Sequence, residues 1–80
     1  MQKITTLLEL AYAVYDAFQI ANGNPQTFKN ELPAVLQQTS LQMKEGALND
    51  LISDLSVLQE SKRHVSIQLL QVSSHFKYVN

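Results

Sequence analysis

The last thirty-odd residues constrain this chain more than any other stretch. From Leu48 to Asn80 there is no glycine and no proline. Leu48, Leu51, Leu55, Leu58, Lys62, Val65, Leu69, Val72, Phe76 and Val79 follow one another at alternating steps of three and four. That is the spacing of a heptad seam, with a single charged member, Lys62. A seam of this kind must be covered, either by other helices of the same chain or by another chain. Length separates the two. A helix of about 29 residues measures about 43 Å, whereas a first helix over residues 3–21 measures about 28 Å. The excess overhangs unless the chain turns within "QESKRHVS", residues 59–66, where Ser61 can cap a new helix. Leu48 to Leu58 therefore read as packing on the earlier helices, and Val65 to Val79 as a seam for another chain.

Residues 3–21 form the second helical pattern. Ile4, Leu7, Leu8, Ala11, Val14, Tyr15, Phe18 and Ala21 recur on one face, and Leu10, Ala13, Ala17 and Ile20 make a second apolar row beside it. Thr5, Glu9, Tyr12, Asp16 and Gln19 mark a narrow polar stripe. A helix with so little polar surface has to be covered on most sides. Thr6 followed by Glu9 fits a capping box and suggests a start a little after residue 3. Glu9 and Asp16 also interrupt any targeting signal that Lys3 and the leucines after it would begin. No stretch is long and apolar enough to span a bilayer.

Between the two patterns lies "ANGNPQTFKNELPAVL", residues 21–36, which holds both prolines and one of the two glycines. Gly23 can close a helix in the left-handed conformation. Asn24 then suits the N-cap of the next helix, with Pro25 at its first position. No alternating strand pattern flanks Asn22-Gly23, and a phosphate-binding loop would need more glycines after a strand. The stretch therefore reads as a helix-to-helix turn. A second helix is expected over 25–44, kinked or broken at Pro33, with the break favoured because the ring removes the bond to the carbonyl of Lys29. Gly46 is the next stop, and Asn49 with Asp50 offers a start for a helix over 49–78, continuous or broken near Ser61.

The expected fold is thus all-α: a small antiparallel bundle of three or four helices in a single domain spanning 1–80. Eighty residues bury a modest core, and such domains gain support from disulfides, metals, close helix packing or association. Cysteine is absent, so disulfides and thiolate zinc sites are excluded. The same absence fits a reducing, cytoplasmic location. The formal charge of −1, from six basic and seven acidic residues, is no footprint for nucleic acid or an anionic membrane. Glutamine, serine, asparagine and threonine outnumber the charged residues, and such a surface is cheaper to bury against a partner.

Little in the sequence resembles chemistry. His64 and His75 stand eleven positions apart, about 16 Å along one straight helix, too far to share a metal. Glu60 is the one acid three or four positions from either histidine. Asp50 and Asp54 are one turn apart, and Glu9 and Asp16 two turns apart, which reads as solvated faces rather than a catalytic pair. No serine has a glycine-flanked nucleophile motif. Neither an enzymatic activity nor a cofactor or metal is expected.

What the residues suggest instead is protein–protein interaction: a small helical adaptor, chaperone or inhibitor that presents a helix face and self-associates. The residues expected to carry it are Val65, Leu69, Val72 and Phe76 on the seam, Ile67 and Leu70 beside it, and Tyr78 as an anchor. Two apolar faces on one helix imply two different neighbours, though Ile67 and Leu70 could equally close a four-helix core. The alternatives are weak nucleic-acid binding through Lys62 and Arg63, or a role as a small subunit of a larger complex.

Overall fold

The computed structural model describes residues 3–61 and 65–79. It contains four helices: α1 (Leu7–Ile20), α2 (Pro25–Leu36), α3 (Leu48–Ser61) and α4 (Val65–Ser73). Two short strands, β1 (Gln42–Met43) and β2 (Phe76–Lys77), pair antiparallel, Gln42 with Lys77 and Met43 with Phe76.

The helix ends follow their local chemistry. Thr6 caps α1: its hydroxyl accepts the Glu9 N–H at 3.1 Å, and the Thr6 N–H donates to Glu9 Oε1 at 3.2 Å. These two bonds satisfy donors that a helix start leaves free, so α1 begins at Leu7 rather than residue 3. At its other end Asn22 and Gly23 take positive φ values of 55° and 73°, and the Gly23 N–H closes onto the Phe18 carbonyl at 3.0 Å. Asn24 Oδ1 then accepts from the Thr27 N–H at 3.0 Å and starts α2, with Pro25 first. The turn expected across 21–25 is the one observed.

Pro33 does not break α2. It lies inside a helix that runs on to Leu36. Lys29, whose carbonyl loses its helical donor, and Pro33 itself are both exposed. A lost bond on a solvated face costs less than one in a core. The helix nevertheless stops eight residues short of the expected end at 44. Residues 42–43 are strand, drawn out to meet residues 76–77, and the Lys44 N–H donates to the His75 carbonyl at 2.8 Å. The strand pair has no hydropathy signature at two residues per strand, so periodicity could not show it.

The long seam is divided. α3 ends at Ser61 and α4 begins at Val65; Lys62, Arg63 and His64, where the break near Ser61 was placed, lie outside the described residues. A continuous helix over 49–78 would be about 45 Å long, which exceeds the largest dimension of the molecule, 34 Å. α3 packs along α4 instead, and α4 ends at Ser73 rather than 78. The radius of gyration, 11.6 Å, equals the value of about 11.6 Å expected for a folded chain of this length.

Both halves of the seam enter one core. Leu51, Leu55 and Leu58 of α3 and Leu69 and Val72 of α4 are fully buried with Leu10, Ala11, Val14 and Phe18 of α1. Phe28 of α2 meets Phe18 edge to face, ring centroids 5.4 Å apart. No polar or charged residue is buried among the described residues. α1 packs most extensively on α2 and α4 and lightly on α3. It holds more buried residues than any other described helix, but it is not covered on most sides as its narrow polar stripe implied. Two of its apolar members escape burial: Leu8, and Ile20 at the last turn.

Candidate interaction surfaces

α4 has two sides with different fates. Leu69 and Val72 face the core, and Val65 is half-buried against it. Ile67 and Leu70, one turn apart, are 63% and 61% exposed. Phe76, in β2, is buried; Tyr78 and Val79 just beyond it are exposed. Of the seven residues singled out in the sequence, the structure thus places Leu69, Val72 and Phe76 inside this chain and leaves Ile67, Leu70 and Tyr78 on its surface. The Tyr78 hydroxyl accepts a long bond, 3.4 Å, from the Leu7 N–H at the start of α1. Lys62 and Arg63, the basic pair, are outside the described residues.

A second surface lies on α1. A shallow, open groove of about 420 Å³ is lined by Tyr12, Ala13, Tyr15, Asp16 and Gln19, all of α1. Gln19 Nε2 donates to the Tyr15 hydroxyl at 2.9 Å. Tyr15 packs partly on the core, whereas Tyr12 is half exposed. Leu8, Tyr12, Asp16 and Ile20 succeed one another every four residues and are all exposed, so they form one ridge along the outside of the helix. The polar stripe of Thr5, Glu9, Tyr12, Asp16 and Gln19 is exposed as the sequence implies. The apolar ends of the ridge, Leu8 and Ile20, are the part that periodicity assigned to the interior.

His75 is partly sheltered and makes one specific side-chain contact. Its Nε2 lies 2.5 Å from Asp54 Oδ2, and both side chains are largely sheltered. Twenty-one positions separate them, and no local spacing signals the pair; it forms where the chain leaves α4, which packs on α3. A histidine oriented by a carboxylate can serve as a general base, but it needs a nucleophile to act on. Among the described residues, Asp54 is the one side chain bonded to the imidazole. Ser56, Ser73 and Ser74 each donate their hydroxyls to a main-chain carbonyl one turn back in the chain. The pair ties α3 to the segment between α4 and β2.

No group of three or more metal-ligating side chains comes together among the described residues. No helix among them is long and apolar enough to cross a membrane. No protein-family model, curated protein or solved structure matches the chain.

Proposed function

We propose that this protein is a non-catalytic interaction module that works by presenting a helix face, the outer side of α4. The observation that carries the reading is the exposure of Ile67 and Leu70 on a helix whose seam residues Leu69 and Val72 are already covered by its own chain. Ile67 and Leu70 are adjacent, apolar and unneeded by the core, with the exposed polar Ser66 and Gln71 beside them. The total surface, 5173 Å², is close to the roughly 4,900 Å² typical of a compact monomer of this mass. That supports a protomer folded by itself, with association added through its surface rather than through an intertwined core. The reading takes the four helices as an antiparallel bundle in a single domain. In support, the chain leaving α4 reaches the start of α1 at Tyr78.

Self-association is part of the proposal. Two exposed aliphatic side chains make a small patch, which suits reversible contact in the range of about 0.1 to 1 mM rather than an obligate dimer. Sedimentation equilibrium over a hundredfold dilution tests it. The expected result is a mass above 9.0 kDa at the concentrated end that falls to the monomer on dilution. The double variant Ile67→Asp with Leu70→Asp should be monomeric throughout while keeping its helical circular dichroism. A monomer at all concentrations, or an oligomer indifferent to the double variant, contradicts the assignment of this face.

A further inference from the structure

We propose that the groove on α1 receives an arginine side chain from a partner protein, in addition to the contact made by α4. The inference deepens the interaction-module reading but rests on a different surface. Charge is the first observation. α1 carries two acids, Glu9 and Asp16, and no base. Glu9 is occupied by the capping box and by the Thr5 hydroxyl at 3.2 Å. Asp16, on the wall of the groove, is exposed and makes no hydrogen bond or ion pair with another described residue, so its carboxylate is free to accept from a partner.

Ring chemistry is the second observation. Tyr12 and Tyr15 line the same groove one turn apart. A guanidinium stacks on phenol faces and can place two N–H donors on one carboxylate, which an ammonium cannot do in the same plane. Tyr15 is anchored on the core side, and Gln19 occupies a lone pair of its oxygen, so one wall is held in place before a ligand arrives. Ala13 contributes the smallest side chain of the lining.

The ridge defines what surrounds the arginine. Leu8 lies one turn before Tyr12 and Ile20 one turn after Asp16, both exposed. An apolar–aromatic–acid–apolar row matches a segment with an arginine between two apolar residues. Burial of the apolar flanks would supply affinity, and the arginine would set register.

The test uses the full chain and a blocked pentapeptide, acetyl-Leu-Ala-Arg-Ala-Leu-amide, followed by two-dimensional NMR. Saturable shifts are expected at Tyr12, Tyr15, Asp16 and Gln19, weakening as salt is raised. Replacing the arginine by citrulline, which keeps the shape and loses the charge, should weaken binding about tenfold. Asp16→Asn should weaken it similarly, and Tyr12→Leu should do so while leaving an apolar ridge. Ile67→Asp with Leu70→Asp should leave the peptide titration unchanged, so failure of the α4 reading and failure of this one are separately visible. Absence of saturable shifts, equal binding of the citrulline peptide, or indifference to Asp16→Asn overturns the proposal.

Discussion

His75 Nε2 and Asp54 Oδ2 meet at 2.5 Å across 21 residues of chain. The bond joins side chains far apart in the chain, whereas the Thr5–Glu9, Thr6–Glu9, Tyr15–Gln19 and Gln26–Asn30 side-chain pairs span four positions or fewer. It sits where α3, the end of α4 and the strand pair converge. The next residue, Phe76, is in the core. The pair therefore fixes how the C-terminal segment lies on α3, while hydrophobic burial supplies most of the stability.

A double-mutant cycle measures that contribution. His75→Ala and Asp54→Ala should each destabilise the fold in urea titrations, and the cycle should return a coupling of about 1 kcal/mol, as for a partly sheltered charge-assisted bond. Additive single effects would show that the contact is geometric coincidence.

The N-terminal cap makes a pH-dependent prediction. The Thr6 hydroxyl, opposed by desolvation and aided by Thr5, holds the Glu9 carboxyl below its ordinary value of 4.5. A carboxylate with a lowered folded pKa stabilises the fold fully above its unfolded value, and that contribution is lost as pH falls through the folded one. Stability should therefore decline as the solution is acidified below pH 4.5, and Glu9→Gln should remove that part of the decline. Thr6→Ala, which takes away the cap itself, should cost about 1 kcal/mol at neutral pH. Thermal melts of the three proteins from neutral to acid pH check both statements; an unchanged acid limb in Glu9→Gln would be inconsistent with the cap.

Pro33 offers a gain. It lies within α2 on an exposed face and leaves the Lys29 carbonyl without its helical donor. Pro33→Ala restores that donor and a favourable helix residue, at the expense of a looser unfolded chain. The midpoint of urea unfolding should rise by the equivalent of about 1 to 2 kcal/mol with an unchanged slope. A loss of stability would mean that the proline sets a bend on which the α1–α2 contact depends.

The two glycines separate backbone cost from crowding. Both have positive φ, 73° at Gly23 and 74° at Gly46. Alanine at either should cost about 1 to 2 kcal/mol for the left-handed conformation. At Gly46 the added methyl meets open space, whereas at Gly23 its carbon would overlap Gln59 Oε1, so the Gln59 amide has to move aside. Gly23→Ala should accordingly be the more damaging, and adding Gln59→Ala should return it to the level of Gly46→Ala in the same denaturation assay. Equal losses at the two glycines would show that Gln59 swings aside without cost.

How far the sequence disclosed this fold depended on the range of the signal. The helix-to-helix turn at Asn22–Pro25 and the Thr6–Glu9 cap are local, and both are in place. The seam from Leu48 to Val79 correctly marked Leu51, Leu55, Leu58, Leu69, Val72 and Phe76 as covered, whereas its last member, Val79, is exposed; period alone does not say what does the covering. Val65 to Val79 read as a surface for a second chain because an unbroken helix would overhang. Once α3 and α4 fold side by side, Leu69, Val72 and Phe76 fall into the core. Ile67 and Leu70 were legible as a second face, and they are the ones left outside. The strand pair and the His75–Asp54 bond were illegible. Each depends on chain return over tens of residues, and neither has a local spacing. Leu8 and Ile20 show the converse limit, since an apolar residue in a helical row need not be buried when it lies at the ridge.

The central claim is that α4 divides its work, with its seam closing the protomer and its outer face meeting another protein. Sedimentation equilibrium of the unaltered chain beside Ile67→Asp with Leu70→Asp addresses it most directly. The account predicts concentration-dependent association in the first and a folded 9.0 kDa monomer in the second. A double variant that still associates to the same extent would contradict it, as would an unaltered chain that stays monomeric at every concentration.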